Sequence, residues 1–301
     1  MIVTDLKYYL DDVLVSKLDI MIKRVEAPLL EKDVVLSCEG AEGEGKTNSS
    51  LAMAYYVKYK TGRDIHLFFR LKSLIEFAKN NTHKIIIWDE PALDFLSTDH
   101  YKEMSKDLIR LLMTSRINRH FFIFNFTKFY KFSEYIVVDR AIGLLHMYSR
   151  NEVEAGRFVY IKKRNLEHLF NAYRSSKKRS YKIFASFRGN FTRIDNLFDQ
   201  MGLIIEGKPD CTLEEYRLLK KDSIESIGSK DKAFDKSLNN LNKLKSRIGY
   251  LTFPIMSQEL LAKALGTTSR SIQRWKTLPF VEEEALIPKK NEDLDHDDED
   301  I

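Results

Sequence analysis

Residues Val34 to Asn48 read VVLSCEGAEGEGKTN. A short apolar run, Val34–Ser37, leads into Gly40-Ala-Glu-Gly-Glu-Gly-Lys-Thr47, the pattern G-x-x-x-x-G-K-[ST] of a phosphate-binding loop. Apolar residues at helical spacing follow at once: Leu51, Ala52, Ala54, Tyr55, Val57. The motif therefore sits between a predicted strand and the first turn of a predicted helix. Glycines let backbone N–H groups turn inward around phosphate oxygens, and a helix N-terminus adds partial positive charge. The candidate nucleotide contacts are Gly40, Ala41, Glu42, Gly43, Glu44, Gly45, Lys46, Thr47 and Asn48. Lys46 is expected to reach the β- and γ-phosphates and Thr47 to hold Mg2+. The bland alternative is a glycine-rich strand-to-helix turn that binds nothing.

A second stretch completes the pattern. Lys84-Ile-Ile-Ile-Trp-Asp-Glu90 is an apolar run closed by two carboxylates. Such a run reads as a parallel strand buried on both faces. Asp89 at its end is the candidate metal acid, and Glu90 the candidate base that orients or deprotonates an attacking water. Alone, the run could equally be a strand ending in a capped acidic turn. Further on, Phe121–Phe126 (FFIFNF) is apolar except for Asn125. A buried amide needs partners, and either a γ-phosphate with its water or a backbone group would serve. Arg116, Arg119 and Arg140 are candidates for an arginine finger acting on a neighbouring subunit, or are helix-end and surface arginines.

Bulk composition narrows the field. The 301 residues are 44% hydrophobic and 31% charged, an ordinary globular balance with room for one large domain and a small one. No apolar run approaches the ~20 residues that cross a bilayer, so no membrane partner is expected. The start, MIVTDLKYYLDD, lacks the apolar core of a signal peptide. Two cysteines, Cys38 and Cys211, form no framework, and a reducing, cytoplasmic setting follows. The net charge of +5 conceals an acidic tail, Asn291–Ile301, which leaves the rest more basic.

Taken in order, Asp5–Val25 has helical spacing and reads as one or two helices. Asp64–Phe69 reads as a second strand and Leu71–Lys79 as a helix. Tyr101–Ile117 is helical, and Ala141–Tyr148 with Gly156–Lys162 forms a strand pair at the sheet's far side. From Arg157 to Arg193 cations alternate with rings, which suits a nucleic-acid backbone or else a solvated basic face over a core. Gly207–Asp210 marks a boundary, and Thr212–Glu215 a capping box. In Met256–Pro279 the residues Gln258, Ala262, Gly266, Ile272 and Trp275 stand at helix-turn-helix spacing. Its second helix would present Thr268, Ser269, Arg270, Gln273 and Arg274 to a major groove, or to a protein partner. The expected divisions are 1–30 (helical), 31–206 (nucleotide domain), 207–248 (connector), 249–285 (helix-turn-helix) and 286–301 (acidic tail).

The residues Gly40–Thr47, Asp89-Glu90 and Asn125 together resemble P-loop ATPases of the additional-strand, catalytic-glutamate division. The run SRINRHFFIFNF with Tyr135–Arg140 looks loosely like the FtsK–HerA group, which includes DNA pumps and zonular-occludens-toxin-like phage ATPases. That group usually carries glutamine where this chain has Asn125. The resemblance implies an α/β fold with a mostly parallel sheet ordered 5-1-4-3-2 between helices, followed here by a small all-α helix-turn-helix unit. It implies ATP and Mg2+ as cofactors, Lys46 and Glu90 as catalytic residues, and an arginine supplied by a second copy in a ring, filament or dimer. The expectation is a DNA-associated ATPase, motor or switch, of a virus, plasmid or mobile element. Three rivals stay open: an ATPase that loads a helicase or transposase through a protein partner, a nucleotide-gated transcription regulator, and a small-molecule kinase.

Overall fold

The computed structural model describes residues 5, 7–89, 98–150, 154–176, 181–192, 194–223, 257 and 259–260. The chain divides into two compact units, Met1–Ile227 and Gly228–Ile301. In the second unit the described residues are Ser257, whose Oγ accepts from the Leu260 N–H at 3.4 Å, Glu259 and Leu260. The DNA-reading residues Thr268, Ser269, Arg270, Gln273 and Arg274, and the acidic tail, lie outside the described residues.

The first unit is built on one sheet of eight strands: β1 (Val34–Glu39), β2 (Ile65–Phe68), β3 (Ile85–Asp89), β4 (Phe121–Phe126), β5 (Gly143–Arg150), β6 (Glu154–Lys162), β7 (Phe187–Asn190) and β8 (Leu203–Ile205). Their order is β7-β6-β5-β1-β4-β3-β2-β8. The expected core β5-β1-β4-β3-β2 is present, and all its neighbours are parallel. Beyond β5 the sheet continues antiparallel through β6 and β7, and beyond β2 it gains parallel β8. The two outer strands β7 and β8 were not anticipated, because four and three residues carry too little alternation to stand out.

Central parallel strands are covered on both faces, which is why their sequences are apolar throughout. Along β1 successive side chains fall to opposite faces. Leu36 and Cys38 join the layer of α1 (Asp12–Glu26) and α2 (Lys46–Thr61), with Leu14, Leu18, Met53 and Val57. Val35 faces the other layer, made by α3 (Leu71–Asn80), α4 (Thr98–Thr114) and α5 (Lys163–Ser176), with Leu74, Leu112 and Leu169. The amino-terminal stretch is a single helix. Asp11 caps it, accepting from the Val13 and Leu14 N–H groups at 2.9 and 3.3 Å. Before it, Leu10 pairs with Phe191 as an antiparallel bridge.

The chain leaves β1 over one face through α2 and returns over the other through α3 and α4. In open parallel sheets this reversal opens a crevice at the carboxyl ends of the strands, where ligands bind. The glycine loop stands at that end of β1, Asp89 at that end of β3 and Asn125 near that end of β4. Among the described residues, no helix is long and apolar enough to cross a membrane.

Candidate functional site

The loop Gly40–Thr47 joins β1 to α2 as the motif requires. Gly45 caps α2 at φ 87° and ψ 24°, a left-handed conformation that penalises any side chain. A Cβ there would also come within 3.2 Å of the Phe191 ring. At Gly40 a Cβ would meet the Met147 carbonyl oxygen at 2.9 Å, so this glycine serves close approach to β5. Lys46 is buried, and its ammonium donates to the carbonyls of Gly40 at 2.9 Å and Ala41 at 2.7 Å. The Ala41 N–H donates to the Glu44 carboxylate at 3.1 Å, so a protein anion takes one of the loop's donors. Ala41, Glu42 and Gly43 are exposed at the loop's tip. Asn48 faces elsewhere: its amide donates to Asp195 at 3.1 Å and its oxygen accepts from the Ile194 N–H at 3.0 Å. Its side chain ties α2 to the 3-10 turn Asp195–Gln200.

Thr47 and Asp89 come together. The Thr47 hydroxyl lies 3.0 and 3.2 Å from the two Asp89 carboxylate oxygens. Asp89 is fully buried at the end of β3, and further donors converge on it. Asn125 donates to its Oδ1 at 2.7 Å and to Ser50 Oγ at 2.9 Å, and Ser50 donates to the Thr47 carbonyl at 2.9 Å. Tyr216 donates to Oδ2 at 2.8 Å, and the Lys220 ammonium stands 3.5 Å from the same oxygen. Asn125 thus spans β4, β3 and α2 through its amide nitrogen, while its buried Oδ1 has no hydrogen-bond partner among the described residues. The amide's orientation follows from this network.

A threonine hydroxyl beside a carboxylate, both hard oxygen donors at the strand ends, fits Mg2+. That ion takes one or two protein ligands and completes its octahedron with phosphates and water. Among the described residues no cluster of three or more His, Cys, Asp or Glu forms a self-sufficient metal cage. Cys38 is buried two residues before Gly40, and burial pushes its thiol well above the ordinary range, so it is a packing residue.

Tyr216 and Lys220 were not expected here. They lie on a helix over residues 213–223, in the stretch read from sequence as a connector. A capping box opens it: Thr212 Oγ1 accepts from the Glu215 N–H at 3.2 Å, and Glu215 accepts from the Thr212 N–H at 2.9 Å. A Tyr and Lys four residues apart on one face were the available signal. A second unforeseen group stands immediately before the loop. Glu39, buried at the end of β1, hydrogen-bonds His146 Nδ1 through Oε2 and accepts from the Tyr181 hydroxyl at 2.8 Å through Oε1.

The arginines do not join the site of their own chain. Arg116 and Arg119 precede β4, at the opposite end of the sheet from the loop. Arg119 donates to the Pro28 carbonyl at 2.6 Å. Arg140 is corrected outright. It ends a π-helical turn, Tyr135–Arg140, and its guanidinium is buried against Asp33 at 2.6 and 2.7 Å. A buried, paired guanidinium cannot reach another subunit's phosphate. Glu90 lies outside the described residues.

No protein-family model matches the chain, and no curated protein matches it. Among solved structures it is similar to a KaiC-like protein from the hyperthermophilic archaeon Pyrococcus horikoshii, at 13% identity and a TM-score of 0.33. The match covers 46% of this chain and 83% of that one. A likeness so slight assigns neither activity nor family.

Proposed function

We propose that the chain binds ATP with Mg2+ on Gly40–Thr47, hydrolyses it, and uses the cycle to drive or switch an action on DNA. The observation that carries this is the approach of the Thr47 hydroxyl to Asp89, at 3.0 Å, directly beside a glycine loop with Lys46 at its base. Lys46 would give up the Gly40 and Ala41 carbonyls for phosphate oxygens, meeting the negative charge that develops on them. Thr47 and Asp89 would hold Mg2+, which supplies charge neutralisation at the β- and γ-oxygens. Glu90, next along the chain from Asp89, would orient the attacking water, and the free oxygen of Asn125 would accept from that water. An arginine from a second copy, Arg116 or Arg119, would complete the charge balance in a homo-oligomer. The carboxy-terminal residues Thr268, Ser269, Arg270, Gln273 and Arg274 would hold duplex DNA.

The test is ATP turnover by the full chain with and without duplex DNA. Turnover that rises with DNA and disappears in Lys46→Ala supports the reading. Full-rate hydrolysis indifferent to DNA removes the DNA half of it. Failure to retain any nucleotide removes the whole.

A further inference from the structure

On the sheet face away from α2, strands β5, β6 and β7 and the short helix α6 (Tyr181–Phe184) enclose a cavity of about 500 Å³. Its lining includes His146, Tyr148, Tyr181, Ile183, Lys182 and Arg188, and among the described residues none of the lining is acidic. That volume is in the range of ligand pockets of roughly 300–1,000 Å³. The rings are ordered as parallel planes. Tyr181 stacks on His146 with centroids 3.7 Å apart and 8° between planes. Tyr148 lies 6.5 Å from His146 at 15°. Beneath them Glu39 holds Tyr181 and His146 by one oxygen each, so the carboxylate is spent inside the protein. Lys182 and Arg188 are exposed at the rim, as is Ile183 at 77%.

The alternating stretch Arg157–Arg193 is thereby sorted into two kinds of residue. Phe158, Tyr160, Phe170, Phe191 and Tyr181 are buried, the last also lining the cavity, while Lys182 and Arg188 are exposed beside it. The half-buried ring of Tyr148 accepts the flat face of a conjugated ligand, and two cations with no acid among the described lining accept a phosphate. We propose that this cavity holds one unstacked nucleotide of a single-stranded nucleic acid, its base against Tyr148 and its phosphate at Lys182 and Arg188. A duplex keeps its base faces inside the stack, so of the two forms of nucleic acid the single strand is the one that offers both groups at once. The proposed site shares no residue with the phosphate loop or with the helix-turn-helix stretch, and its test separates the three readings.

The experiment is fluorescence anisotropy of the full chain with a labelled oligothymidylate of about 12 nucleotides, without ATP. Tyr148→Ala weakens binding about tenfold, Tyr148→Phe restores it, and duplex affinity is unchanged. Lys182→Glu with Arg188→Glu, both at exposed positions, weakens it at least as much and flattens its salt dependence. Lys46→Ala leaves it intact, which keeps failure of the ATP site distinguishable. The proposal is overturned if the full chain does not bind the oligonucleotide. It is equally overturned if these variants bind within about twofold of the parent, or if they weaken a fluorescent ATP analogue and not the single strand.

Discussion

The hydroxyl of Tyr216 donates to Asp89 Oδ2 at 2.8 Å, joining residues 127 positions apart. With Lys220 at 3.5 Å from the same oxygen, the helix over 213–223 supplies both a neutral donor and a cation to a fully buried carboxylate. Burying that charge without partners would cost several kcal/mol. A divalent ion held by Asp89 would share this carboxylate with the Lys220 ammonium, so ion and ammonium would compete.

The competition is measurable. Replacing Lys220 with Gln removes the rival cation and keeps a donor. Affinity for Mn2+ in the presence of a non-hydrolysable ATP analogue is expected to rise about three- to tenfold, read by electron paramagnetic resonance. Tyr216→Phe is expected to cost about 1.5–3 kcal/mol of stability in denaturant titration, the value of a hydrogen bond to a charged acceptor.

Asn125 is placed to act twice. Its nitrogen locks Asp89 and Ser50, and its oxygen is buried without a partner among the described residues. Asn125→Asp cannot donate from the same position and sets a second carboxylate against Asp89. ATP turnover is expected to fall by about two orders of magnitude with KM changed less than threefold, as for a group engaged in the transition state. An equal loss in KM would assign Asn125 to binding alone.

The Arg140–Asp33 pair is structural. Breaking a buried ion pair strands the remaining charge, so Arg140→Leu is expected to lose about 3 kcal/mol in denaturant melts. Adding Asp33→Asn is expected to recover part of that loss. Per folded molecule, turnover should match the parent in both variants, whereas an arginine finger would show a large kinetic loss.

Acid should destabilise this fold through its histidines. His66 is buried on β2 against Phe77, with ring centroids 4.2 Å apart, and burial pushes its pKa down to about 4. Lys84 and His120 push in the same direction and Asp64 opposes them. His120, also lowered by burial, accepts from the Lys84 N–H at 3.2 Å through Nδ1, a bond that its protonation abolishes. The unfolded chain takes up a proton near the ordinary value of 6.5, while the folded chain resists to about 4. Stability is therefore lost as pH falls through that interval, by at most about 3 kcal/mol for His66. His66→Phe should flatten the dependence of Tm on pH between these limits.

The sequence by itself determined the parts whose signals are local. Glycines at set spacing before a lysine and threonine announce the loop, and apolar runs such as IIIWD and FFIFNF announce strands buried on both faces. With the resemblance they also anticipated the inner sheet order. Only the tertiary structure decided who surrounds Asp89, that Arg140 is spent on Asp33, and that Glu39, His146 and Tyr181 form one cluster. The longest of these contacts join residues 107 to 142 positions apart, and no periodicity encodes them. A tyrosine on a helix face reads as packing from its spacing alone. The acid its hydroxyl meets is set by how the helix lies on the sheet, which sequence spacing does not carry.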